Sequence, residues 1–216
     1  MLDFTTVWSS MPQLLRGMAV TFGVSIGAIF LGFFLGWLIC LGNVSRQGWL
    51  RACCATYVSF FRGTPLLVQL TLVFYGLPAI GISLPPVVAA IAALTLNTSA
   101  FQSEILRAGF NLLPRGQIEA ARDLGLNRWQ TFRCIQAPQV LRNMLPALTS
   151  ETIDIIKNSA LISTVAVTEL MRTVQVNAST SYRPIEFFLT AGVLYLVLTL
   201  ATARIGRWLE TRMRNV

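Results

Sequence analysis

From Gly17 to Gly42 the chain runs for about 26 residues without a single charge. At about 1.5 Å per residue, a helix of that length crosses a hydrocarbon core of about 30 Å. Four further largely apolar stretches follow, at about 64–77, 87–106, 143–167 and 187–203. The chain is 54% hydrophobic and 12% charged, and that charged fraction is about half what a soluble domain carries. This pattern predicts an all-α integral membrane protein of about five transmembrane helices, folded as one domain over residues 1–216. Within the first span, Gly23/Gly27 and Gly32/Gly36 are spaced for close helix approach. Ahead of it, Met1 to Gln13 is mixed in character, with Trp8 and Met11 suited to an interfacial foot. It lacks the basic leader of a secretory signal, and the apolar run beyond Arg16 is too long for one.

The net charge of +8 sits in arginines clustered between the apolar spans, not along one helix face. That distribution is a topology signal and argues against a nucleic-acid reader. With the N-terminus outside, the cytoplasmic segments hold Arg46, Arg51 and Arg62, then Arg107 through Arg142, then the tail Arg204, Arg207, Arg212 and Arg214. Arg16, Arg172 and Arg183 stay outside. Histidine is absent, and Cys40, Cys53, Cys54 and Cys134 form no spaced pair, so they read as small hydrophobes. The only lysine, Lys157, follows no GxxxxG, so the chain has no phosphate loop. Any ATP that drives it is bound, with its magnesium, by another polypeptide; this chain itself calls for no cofactor.

One polar block, Asn111 to Pro138, interrupts the apolar spans between the third and the fourth. Pro114 suits a first helical position and Gly125 a left-handed helix end. Asn127 with Gln130 makes a capping-box pattern for a second short helix. That helix is expected to run towards Ile135, to stop before Pro138, and to turn Trp129, Phe132 and Ile135 to one side. Such a pair either lies against its own bundle or fills a groove on a partner.

The fourth span carries Glu151, Asp154, Lys157 and Asn158 within two turns, Asp154 and Lys157 near mid-membrane by helical rise. A charge there costs roughly 2.5–3.5 kcal/mol on insertion scales, so this face looks at other helices or at water. Asp154 with Lys157 reads equally as an ion pair locking the bundle. On the third span, Glu104 and Arg107 are placed to pair at i,i+3.

Glu119-Ala120-Ala121, followed by Gly125, Ile135 and Pro138, resembles the EAA loop of ABC importer permeases, with Ala137 where that family usually has leucine. Arg62-Gly63-Thr64-Pro65-Leu66-Leu67, in which Thr64 can cap and Pro65 open the second span, Tyr75 to Pro78, and Glu104-Ile105-Leu106-Arg107 resemble the permeases for polar amino acids. The resemblance implies that Glu119, Ala120, Ala121, Gly125, Trp129, Phe132, Ile135 and Pro138 couple to an ATPase, two copies of which dock on a dimer of permease chains, identical or homologous. It further implies an extracytoplasmic binding protein, a polar amino acid as substrate and a bacterial inner-membrane location. A substrate ammonium needs an anion and its carboxylate a donor. Asp154, Glu151, Lys157, Asn158, Asn97, Thr98 and Ser99, with Gln69 nearby, are the expected lining; Glu151, Lys157 and Ser159 fit the family pattern, while Asp154 and Asn158 vary from it. Glu169 and Arg172 match the segment at the outer mouth and read as an outer gate or as an i,i+3 pair. The rival reading is an autonomous secondary transporter with Asp154/Lys157 as an ion relay; a third is a non-transporting scaffold.

Overall fold

The first helix begins well before the charge-free run that defines it. In the computed structural model, which describes residues 3–214, α1 extends over Thr5–Asn43, 39 residues, with Pro12 inside it. The expected interfacial foot is therefore its first turns. Val7 and Leu14 are buried there against Leu170, Val174, Phe187 and Ala191, and this packing outweighs the hydrogen bond that Pro12 cannot make. Trp8 points away from the bundle and is exposed.

The remaining elements are α2 (Gly48–Gly63), α3 (Leu66–Ala79), α4 (Pro86–Asn111), α5 (Arg115–Asp123), α6 (Arg128–Thr131), α7 (Ala137–Asn158), α8 (Leu170–Ser181) and α9 (Pro184–Arg214). Among the described residues there is no strand. Helices α1 and α9 are long and apolar enough to cross a membrane alone. Helices α2 and α3 pass only together, bent by 108°. With 26 and 22 residues, α4 and α7 are long enough for a core of about 30 Å but carry polar side chains.

Helix α2 went unread because Arg51 and Arg62 bracket its apolar stretch. The bend after it also differs from expectation. Thr64 has extended backbone, and its hydroxyl donates back to the Phe60 carbonyl at 2.8 Å, so it closes α2 and does not cap α3. Pro65, not Thr64, holds the position ahead of α3.

Helix α4 is the axis of the fold. A Cβ on Gly32 would strike the Thr98 side chain, and one on Gly36 would come within 3.1 Å of the Ser99 carbonyl. Only a missing side chain lets α1 lie this close to α4. Gly23 and Gly27 meet nothing within 4 Å, so just one of the two glycine pairs is a packing device. Because residue 32 meets 98 and residue 36 meets 99 and 102, α1 and α4 run in the same direction. Helix α9 runs parallel to α1, its Tyr195 lying level with Thr21 through their shared partner Glu169. This parity puts the α1–α2 turn, the block Asn111 to Pro138 and the end of α9 at one end of the bundle. Asp3, the α3–α4 connection and the stretch from Ala166 to Arg183 lie at the other.

At that other end Asp3 is clamped to the α8–α9 turn. Its carboxylate pairs with Arg183, whose guanidinium also donates to the Asp3 carbonyl at 2.8 Å. The Thr5 backbone N–H and hydroxyl, then Arg183, bring the Asp3 carboxyl down to about 2, so the clamp stays charged at physiological pH.

Candidate functional site

Two sites emerge, a polar seam inside the bundle and an exposed elbow at its arginine-rich end. The seam joins α4 to its neighbours at three levels. Asn97 donates to Gln69 at 2.9 Å, and Gln69 donates to the Phe61 carbonyl at 2.9 Å and the Thr64 hydroxyl at 2.8 Å. Ser99 shares a 2.8 Å hydrogen bond with the Tyr57 hydroxyl, which also reaches the Leu96 carbonyl. Thr98 donates to the Glu151 carboxylate at 2.8 Å and accepts from Gln102 at 3.1 Å.

The structure thus divides the residues expected to line a substrate path. Gln69, Asn97 and Ser99 are buried, and their polar atoms are spent tying the α2–α3 bend to α4. In a low-dielectric interior such satisfied networks rigidify the helices that carry them. Thr98 and Glu151 connect α4 to α7. Asp154, Lys157 and Asn158, further along α7, are exposed on this chain. The Asp154–Lys157 ion pair is formed at 2.6 Å, but both partners belong to α7 and both are more than half exposed, 57% and 55%. It ties no helix to another, so it does not lock the bundle.

Helix α7 ends at Asn158 and continues as a tight 3-10 stretch, Ser159–Val165, closed by Ala166 in left-handed backbone with φ of 60°. The expected continuous span to residue 167 is broken there. Beyond it, Glu169 is fully buried. Its carboxylate caps α8, accepting from the backbone N–H groups of Met171 at 2.7 Å and Arg172 at 2.6 Å. It also accepts from the hydroxyls of Thr21 and Tyr195, each at 3.1 Å. Arg172 contributes its backbone and leaves its side chain exposed. The i,i+3 ion pair is not formed. Near the opposite end the i,i+3 pair of Arg107 with Glu104 is formed at 2.6 Å, with Arg62 alongside at 3.5 Å and over the Phe101 ring.

The elbow is built as its residues dictate. Gly125 has φ of +76°, the Leu126 N–H reaches the Ala121 carbonyl at 3.0 Å and the Gly125 N–H the Arg122 carbonyl at 2.9 Å. This is a Schellman end, which needs the left-handed glycine. Asn127 and Gln130 form the reciprocal capping box, both bonds 2.9 Å. Pro114 holds the position just ahead of α5, one place earlier than expected.

The predicted stop before Pro138 does not occur. A π turn, Phe132–Gln136, joins α6 to α7, and the Ala137 N–H donates five residues back to Phe132. One extra residue in the turn widens the helix where the Pro138 ring would meet the preceding carbonyl, so the helix passes through. The π turn also aims Phe132 inward. Its ring lies 5.8 Å from Trp37 of α1 and stacks 6.0 Å from Phe110 of α4. Trp129 stacks on its other side at 5.6 Å and is 63% exposed. Ile135 is half-buried and Ala121 buried, while Glu119, Ala120, Gly125 and Pro138 are exposed. The elbow lies against its own bundle through Phe132 and offers an outward face through Glu119, Gly125 and Trp129.

A bundle of membrane-length helices that holds such an elbow rigidly at one end is the build of the membrane-embedded subunit of an ABC importer. The chain belongs to the family of binding-protein-dependent transport system inner membrane components, whose signature matches residues 28–215. It is an inner-membrane translocation component; in this family ATP hydrolysis belongs to a separate subunit and the substrate comes by way of a binding protein. The octopine transport system permease protein of Rhizobium radiobacter is 38% identical over 217 residues, covering 96% of this chain and 89% of that protein. The arginine transport system permease protein of Bacillus subtilis is 34% identical over 215 residues, 99% of this chain and 98% of that one. A crystal structure of an amino acid ABC transporter with histidines superposes with a TM-score of 0.91 at 33% identity, covering 98% of this chain and 99% of that one. An inward-facing methionine ABC transporter, at 24% identity and a TM-score of 0.81 over 95% of this chain and 98% of that one, shares the fold.

Tyr57 and Tyr195 escaped sequence reading. A lone tyrosine in an apolar span gives no periodic signal, and only the partner across the helix interface identifies it.

Proposed function

We propose that the chain is the permease subunit of an ATP-driven importer for a polar L-amino acid. The observation that carries this is the elbow, held by its own hydrogen bonds, packed on α1 and α4 through Phe132, and presenting Glu119, Gly125 and Trp129 outward. An ATPase seated on that face would pull directly on two spans. Relatives named for octopine, arginine and glutamine transport support an amino acid as cargo. Reconstituted with its ATPase and binding protein, the permease should show ATP hydrolysis that rises when the loaded binding protein is added. Uptake driven by an ion gradient alone, with no ATPase present, would favour the secondary-transporter reading instead.

The elbow end is assigned to the cytoplasm. Arg46, Arg62, Arg107, the arginines of the elbow and those of α9 lie at that end, and Arg16, Arg172 and Arg183 at the other. The exposed Cys134 in the elbow reports the orientation. With Cys40→Ala, Cys53→Ala and Cys54→Ala, an impermeant maleimide is expected to label Cys134 in inside-out vesicles and to leave it unlabelled in right-side-out ones. The reverse pattern would overturn the assignment.

A second permease chain, identical or homologous, covers the exposed Asp154, Lys157 and Asn158, since a charged face at membrane depth requires protein or water opposite it. Two such chains, each carrying one ATPase, enclose the path. Asp154 and Glu151 then present two carboxylates towards it, favouring a substrate with an additional positive group. Asp154→Asn is expected to lower the preference for such substrates about tenfold, the range of one charge-assisted hydrogen bond, and to leave assembly intact. Competition uptake assays read this directly. An unchanged substrate profile would return Asp154 to a local ion pair with Lys157.

A further inference from the structure

At the elbow end, three arginines from three separate segments line one cavity of about 320 Å³: Arg46 from the α1–α2 turn, Arg122 from α5 and Arg128 from α6. No acidic residue lines it. The ion pairs found among the described residues, such as those of Arg62, Arg107, Arg183 and Lys157, engage none of these three. Each of the three is exposed. Three uncompensated guanidinium groups around one concavity repel one another unless an anion joins them. Guanidinium forks match the oxygens of a phosphate in pairs, which ammonium groups cannot do.

Location narrows the anion. Arg46 comes three residues after the last residue of α1, a membrane-length helix, so the cavity opens where α1 leaves the bilayer. Ile118 and Leu126, both half-buried, contribute apolar wall beside the arginines. A phosphate carried on a glycerol backbone meets both surfaces at that level, and basic pockets beside transmembrane helices on the cytoplasmic side bind anionic headgroups.

We infer that the Arg46, Arg122 and Arg128 cavity is a phosphate site that holds the headgroup of an anionic phospholipid against the elbow. Bound there, the lipid bridges the α1–α2 turn to α5 and α6 by charge, and ties the elbow to the leaflet. The lipid identity rests on the cytoplasmic orientation proposed above; the phosphate chemistry does not.

Native mass spectrometry of the full transporter, purified from membranes containing phosphatidylglycerol and phosphatidylcholine, tests it. Wild-type protein is expected to retain phosphatidylglycerol and release phosphatidylcholine. Each single arginine-to-glutamine substitution should weaken retention about fivefold, and the triple variant should abolish it. A triple arginine-to-lysine variant, which keeps the charge and the fold, should retain phosphatidylglycerol more weakly than wild type. Displacement of the lipid by millimolar inorganic phosphate would assign the site to a free anion; resistance to it assigns the site to the lipid. Equal phosphatidylglycerol retention by wild type and the triple glutamine variant would overturn the proposal. So would loss of the ATPase subunit from that variant with its lipid complement unchanged, which would give the arginines to a protein contact. Maleimide labelling of Cys134 in the same membranes reports the orientation separately, so a failed orientation and a failed phosphate site give different results.

Discussion

Glu169→Ala lowers the thermal midpoint of the purified transporter by about 6–12 °C, while Arg172→Ala leaves it unchanged. The Glu169 carboxylate is fully buried and accepts four hydrogen bonds, two from backbone N–H groups that open α8 and two from hydroxyls on α1 and α9. Hydrogen bonds to a charged group are worth about 1.5–3 kcal/mol each, and loss of a helix cap about 0.5–2. Polar contacts within a membrane are worth less than this sum, because the unfolded reference also finds partners. A net cost of about 3 kcal/mol remains, and each kcal/mol moves the midpoint of a chain this long by about 2–4 °C. Arg172 loses only an exposed side chain and keeps its N–H. Glu169→Gln retains the shape and part of the accepting capacity, and should fall between wild type and alanine. The measurement also separates a lock from a gate. If Glu169 gated the outer mouth, Glu169→Gln would change transport per folded molecule at an unaltered midpoint. A lock changes the midpoint and leaves the turnover of the surviving protein alone.

The features legible in the sequence were those whose physics is local. Gly125 needs its left-handed backbone for reasons contained within six residues, and the Asn127–Gln130 box and the Arg107–Glu104 pair close within one turn. All three are present as read. What escaped was decided across helix interfaces. The start of α1 depends on Leu170 and Phe187, far away in sequence, which bury Val7 and Leu14 and carry the helix through Pro12. The passage of helix through Pro138 depends on Phe132 finding Trp37 and Phe110, so that a widened turn becomes favourable. Asn97, Ser99 and Gln69 were rightly seen as polar groups in an apolar span. Whether such groups face a path or a neighbouring backbone turns on Phe61 and Tyr57, which belong to a helix that arginine punctuation hid, and on Thr64, which closes it. Composition says that a buried polar group must be satisfied, and only the fold says by what.

The second large effect concerns transmission through the elbow. Phe132→Ala is expected to leave the ATPase bound and to reduce the stimulation of its ATP hydrolysis by loaded binding protein at least tenfold. Among the described residues, Phe132 is the only ring that touches both the spans and the elbow's outer tryptophan, lying 5.8 Å from Trp37, 6.0 Å from Phe110 and 5.6 Å from Trp129. Aromatic pairs of this kind contribute about 0.5–1.5 kcal/mol each beyond the area they bury. Removing the two that reach Trp37 and Phe110 loosens the elbow from α1 and α4 by roughly 1–3 kcal/mol. The Schellman turn, the capping box and the Gln139–Gln117 bond at 2.9 Å stay in place, so the outward face keeps its shape. A partner would still dock but its movement would be lost at a loosened joint. Trp129→Ala removes the exposed ring and should act the other way, weakening ATPase retention on copurification while the permease keeps its thermal midpoint. If Phe132→Ala and Trp129→Ala lose the ATPase to the same degree, the elbow is a docking surface alone and force reaches the spans by another route. If Phe132→Ala keeps full stimulation, α1 and α4 are not the helices that the ATPase moves.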